Sequence, residues 1–129
     1  MLKSGILNPA LLHLLARIRH TNTLVIADQG FPFWPHLETV DLALVSGVPT
    51  VLQVLDAIRA NFTIGQAWSA AEFLEHNDAD RQAELRRRFA GIPLEFEPHP
   101  QFKLRVPHAI GLIRTGDAAP YANLIIESA

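Results

Sequence analysis

Hydrophobic residues recur along the chain with two periodicities, one typical of helices and one typical of strands. Asn8-Pro9 is a pair that favours a helix start, and apolar residues recur at helical spacing behind it. The apolar run 23–27 is β-prone and predicts a buried strand that ends just before Asp28. The predicted helix would bury one apolar stripe, consisting of Leu11, Leu12, Leu15 and Ile18.

Segments with these two periodicities alternate for most of the chain, and this alternation predicts an α/β fold. A loop rich in glycine and proline follows the first strand at 29–35, and no repeat or linker interrupts the pattern. We therefore expect one domain over residues 1–129, with a mixed sheet covered by helices and a pair of strands at the end. The further predicted strands are 40–45, 62–70, 94–97, 109–114 and 122–126, and the further predicted helices are 48–60 and 78–89.

The composition mainly argues against certain classes of function and partner. Hydrophobic residues make up 49% of the chain and charged residues 19%, which is globular but with a lean charged surface. The net charge of −2 and a single basic run, Arg86–Arg88 at a predicted helix end, do not favour nucleic-acid binding. There is no cysteine and no apolar run long enough to span a membrane. We expect a cytoplasmic protein without nucleic-acid or membrane partners.

The first candidates for chemistry are His20 and Asp28, which flank the first predicted strand. Functional side chains in α/β proteins concentrate in loops at strand ends. Eight residues that span a strand put these two side chains at opposite ends of it, so they share a site only if a loop folds back or another subunit contributes. The structural alternative is a capping histidine and a turn aspartate.

Two later segments offer further polar groups. His99 opens a stretch that also contains Phe102 and Lys103, and a surface loop anchored by the phenylalanine is the structural alternative. Tyr121 and Asn123 stand two residues apart, on one side of an extended segment, where they can hydrogen-bond hydroxyl groups. A tyrosine can also stack on the C–H face of a sugar, whereas a buried tyrosine with a structural partner is the alternative.

Sequence signatures of metal and nucleotide chemistry are missing. The chain contains no His-Glu-x-x-His or His-x-x-x-His pair, no glycine-rich nucleotide loop and no Gly-x-Ser-x-Gly elbow. The remaining histidines, His13, His36, His76 and His108, are interpreted as structural. We expect no metal and no cofactor.

Taken together, eight segments in order make the chain resemble the D-ribose pyranase and L-fucose mutarotase (RbsD/FucU) family, closer to the ribose branch. The resemblance runs from Lys3 to Ile126 and covers nearly the whole domain. Its strongest segments are His20–Val25, Asp28–Pro32, Val40–Leu44, Gly47–Pro49, Gln53–Leu55, His99–Lys103, Ile113–Asp117 and Pro120–Asn123. The loop 31–36 is more aromatic than the ribose branch leads us to expect, which leaves the sugar open.

The resemblance implies an isomerase that interconverts pyranose and furanose, or anomeric, forms of a monosaccharide without a cofactor. It assigns the role of catalytic acid/base to His20. A histidine suits this role because it accepts and donates protons near neutrality. It also implies a ring-forming homo-oligomer, typically a decamer, with the sugar site between neighbouring subunits. The residues implied to line the sugar site are Asp28, His99, Tyr121, Ala122 and Asn123.

Two other functions remain open from sequence alone. A cytosolic sugar-binding module associated with sugar transport or utilisation would keep the pocket residues without turnover. A scaffold protein whose ring assembly is its role would not respond to sugar at all. Measurement of sugar exchange separates the first of these from an enzyme, and sugar-induced shifts at His20 or Asp28 separate the second.

Overall fold

The strands of this computed structural model, which describes residues 1–129, form one six-stranded mixed sheet. Their order across the sheet is β2-β5-β1-β6-β3-β4, so β1 and β6 lie at its centre. Only β6 runs antiparallel to its neighbours, while the other five strands share one direction. The strands are β1 (Thr23–Ala27), β2 (Thr39–Asp41), β3 (Ile64–Ala70), β4 (Leu94–Glu97), β5 (Gly111–Arg114) and β6 (Leu124–Ser128).

Helices cover both faces of the sheet, as the predicted α/β class requires. Side chains of the central strands alternate between two apolar layers: Leu24 and Ile26 enter the larger core, and Val25 and Ala27 the smaller one. No helix is both long and apolar enough to cross a bilayer. The helices are α1 (Pro9–Leu15), α2 (Val51–Arg59), α3 (Glu72–His76), α4 (Ala79–Arg88) and α5 (His99–Arg105), and a 3₁₀ turn follows at Val106–His108.

The helix starts predicted from capping residues are confirmed. Asn8 accepts a hydrogen bond from the backbone N–H of Leu11 at 2.9 Å, and Asp78 caps α4 in the same way. Within α1 the predicted stripe is partly wrong: Leu12 is 38% exposed, whereas Leu14 is fully buried. The short helix turns Leu14, rather than Leu12, toward Gly111 on β5.

Three predicted features of the chain need correction, and two helices were missed. The strand predicted at 40–45 ends at Asp41, because β5 ends at Arg114 and Asp41 then accepts a turn hydrogen bond from Ala43. The helix predicted at 48–60 begins only after its cap, Thr50, and helices α3 and α5 were not predicted. The predicted final strand pair is also wrong, because β1 lies between β5 and β6.

Candidate functional site

Most of the predicted site residues lie at one edge of the sheet. Because five strands run in one direction, their carboxyl ends meet at this edge, and β6 starts there. Asp28 follows β1, His99 lies two residues beyond β4, and Asn123 immediately precedes β6. We call this edge, with those three residues and Tyr121, the carboxyl edge. Such edges are the usual location of ligand sites in α/β sheets.

Asp28 and Asn123 form a reciprocal pair although 95 positions separate them. The backbone N–H of Asp28 donates to Asn123 Oδ1 at 2.8 Å, and Asn123 Nδ2 donates to Asp28 Oδ2 at 3.1 Å. The second carboxylate oxygen, Oδ1, accepts from the N–H of Gly30 at 3.0 Å. Asn123 is 2% exposed. Its amide therefore fixes the Asp28 carboxylate, which stays partly exposed.

His99 and Tyr121 form an aromatic group on the same edge. Their ring centroids are 5.1 Å apart in an edge-on arrangement, and Phe31 lies 6.5 Å from His99. The Nε2 atom of His99 is buried without a hydrogen-bond partner in the chain. A buried polar atom without a partner is costly, so this nitrogen is a position where a ligand, another subunit or a water molecule can supply one.

Helix α5 holds His99 in place through its first turn. The backbone N–H of His99 donates to both carboxylate oxygens of Glu72, at 2.9 and 3.1 Å. Phe102, one turn later, is fully buried. The anchored phenylalanine of the structural alternative is confirmed, but it belongs to a helix and not to a loop.

Burial shifts the pKa values of Asp28 and His99 at this edge. It raises the pKa of Asp28, against the hydrogen bonds from Gly30 and Asn123 that favour its carboxylate. It lowers the pKa of His99, and the nearby charge of Lys103 lowers it further. Both shifts favour the neutral forms, in which a carboxyl group can donate a proton and an imidazole can accept one.

His20 lies at the opposite edge of the sheet. Its side chain is exposed, and its Nδ1 contacts the backbone oxygen of Ala129 at 2.5 Å. A backbone oxygen only accepts, so Nδ1 carries the proton and Nε2 of the neutral ring offers its lone pair. Within one chain β1 separates His20 from Asp28, as the sequence spacing predicted. The structure of one chain does not bring these two residues together.

The connection between β5 and β6 supports the Asp28 loop. Asp117 is 6% exposed, and its backbone oxygen accepts from the N–H of Gln29 at 3.0 Å. Thr115 donates its hydroxyl to the oxygen of Ala27 at 2.8 Å. The Asp117 carboxylate also accepts from the N–H of Val51 at 2.9 Å and so caps α2. These contacts fix the loop on both sides of Asp28.

Two residues of this region were not predicted to belong to it. His76 stacks on Tyr121 with centroids 5.2 Å apart, and Phe31 packs against His99. His76 was interpreted as structural by default, near a predicted helix start, and no local signal connects it to position 121. Ala122 is 8% exposed and its side chain joins the larger core. It can therefore meet a ligand only through its backbone.

Comparison with known proteins identifies the family. A family model described as the RbsD / FucU transport protein family matches residues 1–129. The chain belongs to the RbsD/FucU family. The D-ribose pyranases of Geobacillus kaustophilus and Chromobacterium violaceum are 45% and 43% identical to it over 128 residues. The aligned regions cover 99% of this chain and 93% and 97% of those proteins.

Solved structures agree with this family assignment. The structure of Bacillus subtilis RbsD complexed with D-ribose matches with a TM-score of 0.93 and 33% identity, over 100% of this chain and 98% of that one. The fucose mutarotase of Streptococcus pneumoniae, in complex with L-fucose, matches with a TM-score of 0.76 over 95% and 92%. Its identity of 19% shows a shared fold. The α/β architecture predicted from sequence is therefore confirmed as that of the RbsD/FucU family.

Proposed function

We propose that this protein is a monosaccharide mutarotase of the D-ribose pyranase kind, an isomerase that opens and recloses sugar rings by general acid/base catalysis. The observation that carries the proposal is the convergence of Asp28, His99, Tyr121 and Asn123 on the carboxyl edge from three distant parts of the sequence. High identity to D-ribose pyranases over the whole chain supports it.

Ring interconversion needs only proton transfers. The anomeric hydroxyl loses its proton, the bond between C1 and the ring oxygen breaks, and the ring oxygen gains a proton as the C1 carbonyl forms. Reclosure through another hydroxyl exchanges pyranose for furanose, and reclosure on the other carbonyl face exchanges anomers. Acid and base groups that are positioned at both oxygens are therefore sufficient, and the proposed reaction uses no metal or cofactor.

The activation barrier of ring opening is low enough for acid and base groups alone to give a useful rate. An uncatalysed opening that takes minutes has a barrier of about 20 kcal/mol. Positioned acid and base groups accelerate proton-transfer reactions by roughly 10²–10⁴-fold, which gives about 1–100 turnovers per second. The residues of the carboxyl edge, together with one histidine, are enough for such a rate.

In the proposed site His20 of a neighbouring subunit completes the carboxyl edge. Its Nε2 lone pair would take the anomeric proton, because the contact of Nδ1 with Ala129 fixes the tautomer. Asp28 would hold sugar hydroxyls through the face left free by Asn123 and Gly30. His99 and Tyr121 would contact the sugar from the side, and the unpartnered Nε2 of His99 would gain a hydrogen bond.

A site of this kind requires an oligomer. The segment that follows β2 toward the carboxyl edge carries three exposed apolar side chains. Leu44, Val45 and Val48 are 77%, 61% and 46% exposed. Apolar surface of this kind supports contact between copies. We propose a ring-shaped homodecamer in the cytoplasm, with one sugar site for each subunit at the contact.

The sugar exchange assay tests the function. Saturation-transfer NMR with protein at catalytic concentration measures exchange between ring forms of D-ribose, L-fucose, D-galactose and other aldoses. We expect His20→Ala to lose about 10²-fold or more of the exchange rate, while oligomer and sugar binding persist. Unchanged exchange in His20→Ala would reject the assignment of the proton shuttle.

A binding module is the second candidate, because the family description refers to transport. It requires the same contacts with sugar but no acceleration of ring exchange. Chemical-shift changes on titration with D-ribose, combined with exchange no faster than in buffer, would support this function in place of the enzyme.

A further inference from the structure

The ring of Tyr121 is held between two imidazoles. His76, the last residue of α3, stacks on it with planes 26° from parallel and centroids 5.2 Å apart. His99 meets it edge-on, at 88° and 5.1 Å. His76 is itself exposed, and Tyr121 is the aromatic ring that it contacts. Its aromatic contact is therefore directed to Tyr121 alone.

The backbone beneath this stack is also fixed. Tyr121 has φ +55°, in the left-handed region that side chains other than glycine rarely adopt. Asn77 Nδ2 donates to the oxygens of Pro120 and Phe73, at 2.8 and 2.9 Å, and so joins the end of α3 to the turn before Tyr121. Gln82 Nε2 donates to the oxygen of Asn77 at 2.9 Å. The positions of His76 and Tyr121 are thus tied by three amide hydrogen bonds.

We propose that His76 is a positioning residue for sugar recognition, which holds the Tyr121 ring in the orientation that meets the sugar. This inference rests on the function proposed above. Without the stack, a partly exposed tyrosine turns about its side-chain bonds, and the sugar then has to order it on binding. Loss of one aromatic pair is expected to weaken sugar binding about two- to tenfold, without changing the rate at saturation.

Two substitutions separate stacking from hydrogen bonding. His76→Phe keeps an aromatic ring but removes the ring nitrogens, whereas His76→Gln keeps a polar group but removes the ring. We expect His76→Phe to bind D-ribose within about twofold of the wild type and His76→Gln to lose the two- to tenfold. The exchange rate at saturating D-ribose stays at the wild-type value in both. His13→Gln, on the exposed side of α1, is the matched control and leaves both quantities unchanged.

Equal affinity in His76→Gln and the wild type overturns the proposal. So does a loss of affinity in His76→Phe as large as that in His76→Gln, because it would indicate a direct hydrogen bond. A fall in the saturated rate without a change in affinity contradicts it as well, because positioning for binding does not act on the proton-transfer step.

The tyrosine itself provides an independent measurement. Tyr121 is the only tyrosine in the chain, so selectively labelled tyrosine gives one set of ring signals in NMR spectra. In His76→Gln these signals should lose the ring-current shift of the stacked imidazole while the rest of the spectrum is retained. Identical tyrosine signals in the wild type and His76→Gln would refute the stack.

A substitution at position 121 distinguishes failure of this inference from failure of the proposed function. If Tyr121→Ala binds D-ribose as tightly as the wild type, the tyrosine does not belong to the sugar site, and both proposals fail at this residue. If Tyr121→Ala weakens binding and His76→Gln does not, only the positioning role of His76 is refuted.

Discussion

We expect His20→Ala and Asp28→Asn each to lose most of the sugar exchange when alone, and to recover part of it when they assemble together. Strand β1 has five residues, so its four steps alone separate the two ends by about 13 Å. At that separation we expect a single monosaccharide not to contact both side chains of one chain. In the proposed function, each complete site therefore takes His20 from one copy and Asp28 from another.

The expected recovery follows from counting subunits. In an assembly made from equal amounts of the two variants, a site is intact only when its histidine comes from an Asp28→Asn copy and its aspartate from a His20→Ala copy. Each condition holds at about half of the contacts, so random mixing restores about one quarter of the wild-type activity. A site within a single chain would give no recovery.

The assay is saturation-transfer NMR on D-ribose, after co-expression of the variants with different affinity tags. Native mass spectrometry of doubly purified protein verifies that both variants occupy the same oligomer. The control pairs His20→Ala with the double variant His20→Ala/Asp28→Asn, which supplies no intact histidine and should recover nothing. Mixed oligomers no more active than either variant alone would refute a site shared between copies.

Two further predictions concern stability. Burial lowers the pKa of His99 below its ordinary value of 6.5, so the unfolded chain binds this proton first as the pH falls. The free energy of unfolding from urea titrations should therefore decrease as the pH drops below 6.5, and less steeply in His99→Gln; equal slopes would contradict the shift. A Cβ at Gly116 would collide with the backbone oxygens of Val45 and Val48, so Gly116→Ala should cost about 1–3 kcal/mol. Gly65→Ala, with neighbours no closer than 3.4 Å, is the control, and equal losses in the two variants would argue against close approach as the cause.

The sequence predicts elements well where local signals agree with tertiary packing. Strand β1 has the predicted bounds because its apolar run is buried on both faces of the sheet. Helix α3 is only five residues long, and Ala71 before it provides no side-chain cap. Helix α5 owes its first hydrogen bonds to the Glu72 carboxylate, which lies 27 positions earlier in the sequence. A contact of that kind leaves no periodic pattern.

The candidate site was predicted by resemblance more than by spacing. Spacing correctly separates His20 from Asp28, but it does not indicate that Asn123 lies beside Asp28. That neighbourhood arises because β6 pairs with β1, with Ile26 opposite Leu124. Sequence reasoning placed the last two strands together, and neighbouring strands along a chain do pair most often. The insertion of β1 between them is a property of the whole sheet.

In the proposed function, one chain carries two incomplete halves of a site, and the central strand pair holds both of them. At one end of the β1–β6 ladder Asn123 fixes Asp28, and at the other end His20 contacts Ala129. The backbone N–H of Thr21 also donates to the oxygen of Ser128 at 2.9 Å. Each half is therefore attached to the same strand ladder, and in the proposed oligomer the docking of copies decides whether the halves meet. In that proposal a closed assembly would complete every site, whereas an open chain of subunits would leave one half unfilled at each end. Sugar exchange per subunit should consequently fall on dissociation, even while every subunit remains folded.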